Sequence, residues 1–332
     1  MPLAAAILAA ALPATCLPSE GIDAICGPVA SEDLARVPRT PWLIASGLNV
    51  GAPANLYAID TGGNTSQPMS IALPPPEAAW RDGCSAPPKR DGWSIDGINL
   101  RVGADGLTLF AANHGDRHAI ELFRITASTS LSATWIGCVP MPEGTLANAV
   151  VPLKDGGLIA TSFYDPRDSR AWTRMAGGEN TGSVWEWQRK SGWRKLPIAV
   201  SGANGLELST DERTLYVSAW SGRRLVLFDR RSGAASELPL DFLPDNIKRQ
   251  DDGTLLVAGQ RARVEDIAAC QGPACPQPWV IARVDPRSRS VTSLLARNGS
   301  DVIGYACAAL LVGDTLYFTA RGDARISRAR LQ

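Results

Sequence analysis

Polar residues stand at matching places in five copies of a repeated pattern and together could hold a metal ion. Each lies about six to nine residues before a polar turn and carries carboxylate or amide oxygen. Ca²⁺ prefers six to eight oxygen ligands of this kind, in flexible geometry. The sequence therefore predicts an oxygen cage formed by Glu32, Asp96, Asn148, Asn204 and the pair Asp245 and Asn246.

Carboxylates that converge on a buried cage need a counter-charge, because a buried carboxylate is strongly disfavoured unless it is paired. No Lys or Arg repeats at the same position. A zinc site is a poor alternative, since the chain has two His and no pair of Cys separated by two residues. The other interpretation is that these polar residues form hydrogen bonds with the ends of strands, or with water in a central channel of the fold.

The elements that must position the cage are short strands. Apolar runs follow polar turns, and no long stretch of helical periodicity interrupts them. Six copies of strand, turn, strand predict an all-β fold, a six-bladed β-propeller with four-stranded blades, as a single domain over residues 16–332. A β-sandwich or two smaller β domains are the alternatives. The clearest runs are LTLFAANH (107–114), GLIATSFY (157–164), RTLYVSAW (213–220), TLLVAGQ (254–260) and DTLYFTAR (314–321).

The N-terminus and the charge balance indicate where the protein acts. Residues 1–15 are apolar and rich in Ala, which favours a signal peptide and a periplasmic or secreted location. The run is too short to span a bilayer as a helix, so no transmembrane span is expected. The 33 Lys and Arg residues balance 33 Asp and Glu residues, which argues against a nucleic-acid partner.

The seven cysteines fit an exported chain, in which cysteines tend to pair. Cys270 and Cys275 flank a Gly-Pro turn, so a local disulfide is expected there. Cys307 lies in an apolar run and is expected to be a free, buried thiol. Two further pairs are expected, Cys16 with Cys26 and Cys84 with Cys138.

Five segments in this order resemble the paraoxonase and arylesterase-like six-bladed propellers and, more distantly, the gluconolactonase group. The resemblance covers nearly the whole chain from about residue 26. The segments are SEDLARVPRTPWLIASGLN (31–49), DGINLRVGADGLTLFAANHGDRHAIELFRI (96–125), NAVVPLKDGG (148–157), ANGLELSTDERTLYVSAW (203–220) and PDNIKRQDDGTLLVAG (244–259).

The resemblance implies roles for single residues. Asp96 stands where the family usually has a pocket histidine, and His114 stands at that histidine's partner. Asp33 and Ile98 fall on ligands of a second, structural calcium, whose remaining carboxylate is replaced here by Ala149. Another pocket histidine is replaced by Gln260. The catalytic calcium ligands fall on Glu32, Asn148, Asn204, Asp245 and Asn246.

Together these features predict a calcium-dependent hydrolase of lactones or aryl esters. Ca²⁺ would polarise the carbonyl of a small-molecule substrate, and Asp96 and His114 would activate water. No GxSxG sequence supports a serine hydrolase. Alternatives are a non-catalytic calcium-binding propeller that binds a ligand or protein, or a strictosidine-synthase-like enzyme. Four tryptophans are expected to line the pocket or to pack in the core: Trp172, Trp185, Trp187 and Trp220.

Overall fold

Six sheets of short strands lie around one axis. The inner strands of each sheet are buried, and the outer strands are more exposed. The structure, a computed structural model, describes residues 16–49, 55–81, 83–270, 275–321 and 324–331. The predicted signal peptide at residues 1–15 lies outside the described residues. Within the described ranges, no helix has the length and apolar character needed to cross a membrane.

The first three blades follow one another along the chain, each beginning with its innermost strand. Blade 1 contains β2 (Ser31–Arg36), β3 (Trp42–Gly47), β4 (Tyr57–Asp60) and β5 (Thr65–Pro68). Blade 2 contains β7 (Ile95–Gly103), β8 (Gly106–His114), β9 (His118–Ala127) and β10 (Leu131–Pro140), with β6 (Ser70–Ala72) added parallel to β10. Blade 3 contains β11 (Ala147–Pro152), β12 (Leu158–Ser162), β13 (Ser183–Gln188) and β14 (Gly192–Lys195).

The last three blades repeat this order, and the N-terminal strand completes the ring. Blade 4 contains β15 (Ala203–Leu208), β16 (Thr214–Ala219), β17 (Arg224–Asp229) and β18 (Ala235–Pro239). Blade 5 contains β19 (Leu243–Arg249), β20 (Leu255–Gln260), β21 (Trp279–Asp285) and β22 (Ser290–Arg297). Blade 6 contains β23 (Ala306–Val312), β24 (Thr315–Ala320), β25 (Arg325–Arg330) and, outermost, β1 (Asp23–Cys26).

This architecture confirms the six-bladed propeller. The first strands of neighbouring blades contact one another in a closed ring, from β2 through β23 and back to β2. Second strands such as Leu158–Ser162 are buried throughout, because blades cover both of their faces. Outer strands such as Ala235–Pro239 are mostly exposed. Pairing of β1 with β25 joins the two ends of the described chain in one blade and closes the ring.

Two long connections carry short helices over one face of the ring. Helix α1 (Ala171–Ala176) follows β12, helix α2 (Val264–Ala268) follows β20, and the two pack against each other. The Pro-rich stretch between residues 61 and 95 is different, because it contains β5 and β6, which extend blades 1 and 2.

The cysteine predictions are confirmed. The pairs Cys16–Cys26, Cys84–Cys138 and Cys270–Cys275 are disulfide-bonded, with Cα atoms 5.6, 5.5 and 5.6 Å apart. Cys307 is free and buried. The first pair ties the segment before β1 to the strand that closes the ring.

Candidate metal centre and active site

A β-bulge recurs near the start of the innermost strand in all six blades. In blade 4, Ala203 pairs with Ala219 and Leu206 pairs with Val217, so two residues of β15 face one of β16. Such a bulge bends the strand and re-aims side chains. The first bulge residue is buried in every blade, and these residues are Glu32, Asp96, Asn148, Asn204, Asp245 and Cys307.

Hydroxyl groups from the second strands fix several of these bulges. A buried backbone amide needs a partner, and a bulge removes its partner in the sheet. Thr161 Oγ1 accepts from the Ala149 amide at 2.9 Å and donates to the Asn204 carbonyl of the next blade at 2.8 Å. The bulge amides of Asp33 and Ala308 are bound in the same way by Ser46 and Thr319.

Side-chain amides in the ring donate sideways to neighbouring carboxylates. Asn148 Nδ2 donates to Asp96 Oδ2 at 3.1 Å, and Asn246 Nδ2 donates to Glu32 Oε1 at 2.6 Å. These hydrogen bonds leave other oxygens of the cage free. Three cage oxygens are buried without a partner among the described residues, namely Glu32 Oε2, Asn148 Oδ1 and Asn204 Oδ1.

These unpartnered oxygens fit a cation. Buried polar atoms nearly always have hydrogen-bond partners, so a buried polar atom without a protein partner points to a bound ion or water. Here three such atoms come from three blades and converge on one cavity, which also contains Asp96 and Asp245. Within the described ranges, no three acidic, His or Cys side chains are grouped closely enough to ligate a metal alone. The amide oxygens are therefore needed to complete the shell.

The electrostatics of the cage favour the binding of a positive charge. Burial raises the pKa of Glu32 well above its ordinary value, and the nearby Asp96 and Asp245 carboxylates raise it further. Burial also raises the pKa of Asp245 to about 8, although a hydrogen bond from Gln260 opposes the shift. A divalent ion would reverse these shifts, because it favours the ionised carboxylates.

Asp96 and His114 form the predicted pair at the edge of the cage. His114 Nδ1 lies 3.2 Å from Asp96 Oδ2 and 3.2 Å from the Ala147 carbonyl oxygen. Burial lowers the pKa of His114, but Asp96 and the Ala147 carbonyl outweigh it, so the net shift is upward. Both neighbours of Nδ1 are acceptors, so Nδ1 carries a proton and Nε2 is the basic nitrogen of the neutral ring.

The two residues assigned by resemblance to a second calcium have a different partner. Lys248 Nζ lies 2.7 Å from Asp33 Oδ2 and 2.9 Å from the Ile98 carbonyl oxygen. Lys248 reaches from blade 5 to blades 1 and 2, and all three residues are buried. An ammonium group therefore occupies the position between Asp33 and Ile98. The second calcium implied by the resemblance stays a prediction, and both this ammonium group and the absence of a carboxylate at Ala149 argue against it.

A second ring of residues surrounds the mouth of the cavity, and sequence reasoning largely missed it. In five blades, the residue at or directly after the end of the second strand donates its amide to the carbonyl that precedes the first strand, as Trp220 does to Gly202 at 3.0 Å. All five line a cavity of about 550 Å³ above the cage. They are Leu48, His114, Phe163, Trp220 and Arg321.

The same repeat register would have found this ring. Four of its members lie at or next to the last residue of the strand runs recognised in the sequence, but they share no residue type. Tyr305 and Cys307 complete the cavity wall on the blade 6 side. Trp172 and Trp220 line the cavity, as one interpretation expected. Trp185 and Trp187 do not, and Trp187 instead stacks on Trp80, 5.9 Å away.

Hydrogen bonds connect the mouth of the cavity to the cage. Trp220 Nε1 donates to Gln260 Oε1 at 2.9 Å, and Gln260 Nε2 donates to Asp245 Oδ2 at 2.8 Å. Gln260 Nε2 also lies 3.1 Å from the Ala306 carbonyl. Gln260 thus orients a cage carboxylate. A larger groove of about 660 Å³, lined by turns such as Asp155 and Thr210, contains none of the cage residues.

Comparisons with known proteins place this fold. No protein-family model and no curated protein matches the chain by sequence. A gluconolactonase from Xanthomonas campestris superposes with a TM-score of 0.57 at 17% identity, over 93% of this chain and 90% of that one. The calcium-binding regucalcin from Agrobacterium tumefaciens gives 0.54 at 12% identity, over 92% and 91%. Virginiamycin B lyase from Staphylococcus aureus gives 0.57 at 12% identity, over 94% and 99%.

The protein therefore has the fold of the six-bladed propellers to which gluconolactonase and regucalcin belong. At these identities the similarity shows the fold alone. The gluconolactonase and regucalcin structures correspond to the more distant of the two resemblances seen in the sequence. The paraoxonase likeness continues to depend on the five sequence segments.

Proposed function

We propose that the protein is a calcium-dependent hydrolase of lactones or esters. The observation that carries this proposal is the convergence of three unpartnered buried oxygens beside the Asp96–His114 pair, within one open cavity. The neighbouring gluconolactonase and regucalcin folds support the class of protein. The residues that would hold the ion are Glu32, Asn148, Asn204, Asp245 and Asn246.

The chemistry divides between the ion and the protein. Ca²⁺, when bound, polarises the substrate carbonyl and stabilises the negative charge that develops on its oxygen. His114 Nε2 takes a proton from water as the water oxygen forms a bond to the carbonyl carbon. The bond from that carbon to the leaving oxygen then breaks, and the proton on His114 passes to this oxygen. Asp96 holds the Nδ1–H group and stabilises the imidazolium.

Asp96 is placed to orient His114. Its Oδ2 accepts from both Asn148 Nδ2 and His114 Nδ1, so one oxygen fixes the histidine relative to a cage residue. In the other version of the mechanism, Asp96 takes the proton itself or binds the ion. The two versions differ in which substitution removes activity.

The test measures hydrolysis of γ- and δ-lactones and of phenyl acetate, with added calcium and with EDTA. We expect His114→Gln to lower kcat by about 10²- to 10⁴-fold. His118→Gln is the matched control, because His118 does not line the cavity, and it should retain the wild-type rate. If Asp96→Asn abolishes turnover while His114→Gln does not, Asp96 is the base. Absence of turnover by the calcium-loaded protein would refute the hydrolase proposal.

A lyase is the second candidate, because virginiamycin B lyase shares the fold. The same histidine could remove a proton from carbon, and a carbon–oxygen bond would then break without water. The product distinguishes the two reactions. Hydrolysis adds the mass of one water to the opened substrate, whereas elimination leaves its mass unchanged.

We also infer that the protein matures in an oxidising compartment, periplasmic or extracellular. Three cysteine pairs at disulfide distance support this location. Thiol titration of the unfolded, unreduced protein should find one free thiol, that of Cys307. Seven thiols in protein isolated from its native compartment would contradict the inference.

A further inference from the structure

We propose that Arg321 and an aromatic wall across the cavity select an anionic substrate, an ester or lactone with an aromatic or extended apolar group and a carboxylate. This proposal rests on the hydrolase function and names the substrate class of the same site. It also makes Arg321 a specificity-determining residue.

Arg321 presents to the cavity a guanidinium group whose hydrogen bond, among the described residues, goes to a tyrosine hydroxyl. Its backbone amide donates to the Tyr305 carbonyl at 3.0 Å, and its Nη1 donates to the Tyr305 hydroxyl at 3.4 Å. Among the described residues, no carboxylate oxygen lies within 4.0 Å of its guanidinium nitrogens, which is the limit for an ion pair. Other half-buried arginines of the chain, such as Arg224 and Arg230, have such partners. A planar guanidinium with free donors fits a carboxylate with two parallel hydrogen bonds.

Arg321 could instead only balance the negative charge of the cage. Asp245 and Cys307 lie close enough to raise the pKa of Arg321, after the larger effect of Tyr305. In that role the guanidinium would change the affinity for every ligand of the cavity to the same degree. The position of Arg321 in the outer ring, rather than in the cage, favours contact with a ligand.

The opposite side of the cavity is aromatic. Phe163 packs edge-on against Trp220 and Trp172, with ring centroids 5.4 and 6.0 Å apart, and Trp172 and Trp220 are 5.8 Å apart. Helix α1 supplies Trp172, and Ile267 of α2 extends the wall. Such a surface binds aromatic rings through offset or edge contacts.

The order of the blades sets the shape of the ligand. Phe163 follows blade 3's second strand and Arg321 follows that of blade 6, so the two lie on opposite sides of a six-bladed ring. The cage lies between them, on the axis. A ligand with an aromatic group at one end and a carboxylate at the other would place its central carbonyl over the cage. The cavity of about 550 Å³ is large enough for a molecule of this size.

Binding tests this selection without turnover. We would titrate the protein with 2-naphthoate and with neutral 2-naphthamide, following the quenching of tryptophan fluorescence, in calcium and in EDTA. The wild type should bind naphthoate at least about tenfold more tightly than naphthamide. Arg321→Met should remove most of that preference, and Trp172→Ala should weaken both ligands. Arg283→Met, a half-buried arginine outside the cavity, is the control and should keep the preference.

Turnover gives the second arm, with monophenyl adipate and phenyl hexanoate as a matched pair of esters. In both, the ester carbonyl lies between the phenyl ring and the other end of the molecule. Arg321→Met should lower kcat/KM for the anionic ester about 10- to 100-fold more than for the neutral one. Equal losses for both esters, together with unchanged naphthoate selectivity, would overturn the proposal. If naphthoate binding depends on Arg321 but no ester is turned over, the hydrolase function fails and the ligand selection stands. If esters are hydrolysed without any preference for anions, the hydrolase function stands and the proposed ligand selection fails.

Discussion

Two polar clusters lie on the axis of the propeller, and their first members are adjacent in sequence. The cage cluster contains Glu32, with a buried oxygen that has no partner. The lysine cluster contains Asp33, whose oxygens accept from Leu34, Ile98 and Lys248. The bulge in the first strand lets consecutive residues serve both clusters. The lysine cluster contains its own cation, and we propose that the cage binds a diffusible one.

The difference shows that two neighbouring polar clusters on the axis of one propeller differ in how their charges are balanced. Removing either partner of a buried ion pair costs far more than the pair contributes, so the lysine cluster is a fixed part of the fold. Among the described residues, no Lys or Arg forms an ion pair with a cage carboxylate, and burial together with mutual repulsion raises the pKa values of Glu32 and Asp245. Burial also raises the pKa of Asp33, but there Lys248 opposes the shift. A bound Ca²⁺, as proposed for this site, would favour the ionised carboxylates.

Chelation should produce the largest contrast between the clusters. Removing calcium with EDTA should abolish hydrolysis, because several kcal/mol of charge stabilisation at the carbonyl are lost. Stability should also fall, by about 2.7 kcal/mol if calcium had been present at 100 times its Kd. Lactone turnover and thermal unfolding measure both effects. Added calcium should restore them, whereas full activity in EDTA would contradict the role of the cage.

The substitution Lys248→Met should affect stability in the opposite pattern, equally with and without calcium. It leaves Asp33 buried without its cation, which costs about 3–5 kcal/mol of unfolding free energy. Urea unfolding in calcium and in EDTA measures this loss. The double variant Asp33→Asn with Lys248→Met removes both charges and should recover part of it. A Lys248→Met protein as stable as the wild type would show that the ammonium is dispensable.

The sequence predicts the cage better than the lysine cluster for a physical reason. Cage residues recur at similar distances before a turn in five blades, because the same bulge positions them. Lys248 occurs once, and its side chain reaches two other blades through a contact that no repeat reveals. Residues of the cavity mouth, such as Phe163 and Arg321, share a place but no chemistry. Similarly, β6 joins blade 2 through long-range pairing that its short sequence does not announce.

Substituting a cage carboxylate should stabilise the metal-free protein. In EDTA near pH 7, Asp245→Asn replaces a group that burial disfavours as an anion, so the unfolding free energy should rise by about 1–4 kcal/mol. In calcium the same substitution should weaken metal binding instead. The substitution Asp33→Asn is the counterpart from the lysine cluster and should destabilise under both conditions. Destabilisation by Asp245→Asn in EDTA would contradict this comparison.

The smallest expected effect is a pH dependence confined to the metal-free state. The pKa of Asp245 is raised to about 8, so the folded protein retains a proton that the unfolded chain releases near pH 4. The stability from this group is therefore fully present below about pH 4 and is lost as pH rises through about 8. The difference in melting temperature between calcium and EDTA should widen by several degrees from pH 5 to pH 8. A constant difference would contradict the predicted shift.

The most direct test of this account is a count of bound calcium. Protein stripped with EDTA would be titrated with calcium by calorimetry, and its metal content would be measured after dialysis. We predict one tightly bound Ca²⁺ per chain in the wild type and in Lys248→Met, and its loss in a variant combining Asn204→Ala with Asp245→Ala. No tight binding by the folded wild type, or a second tight ion that depends on Asp33, would contradict the distinction between the cage and the lysine cluster.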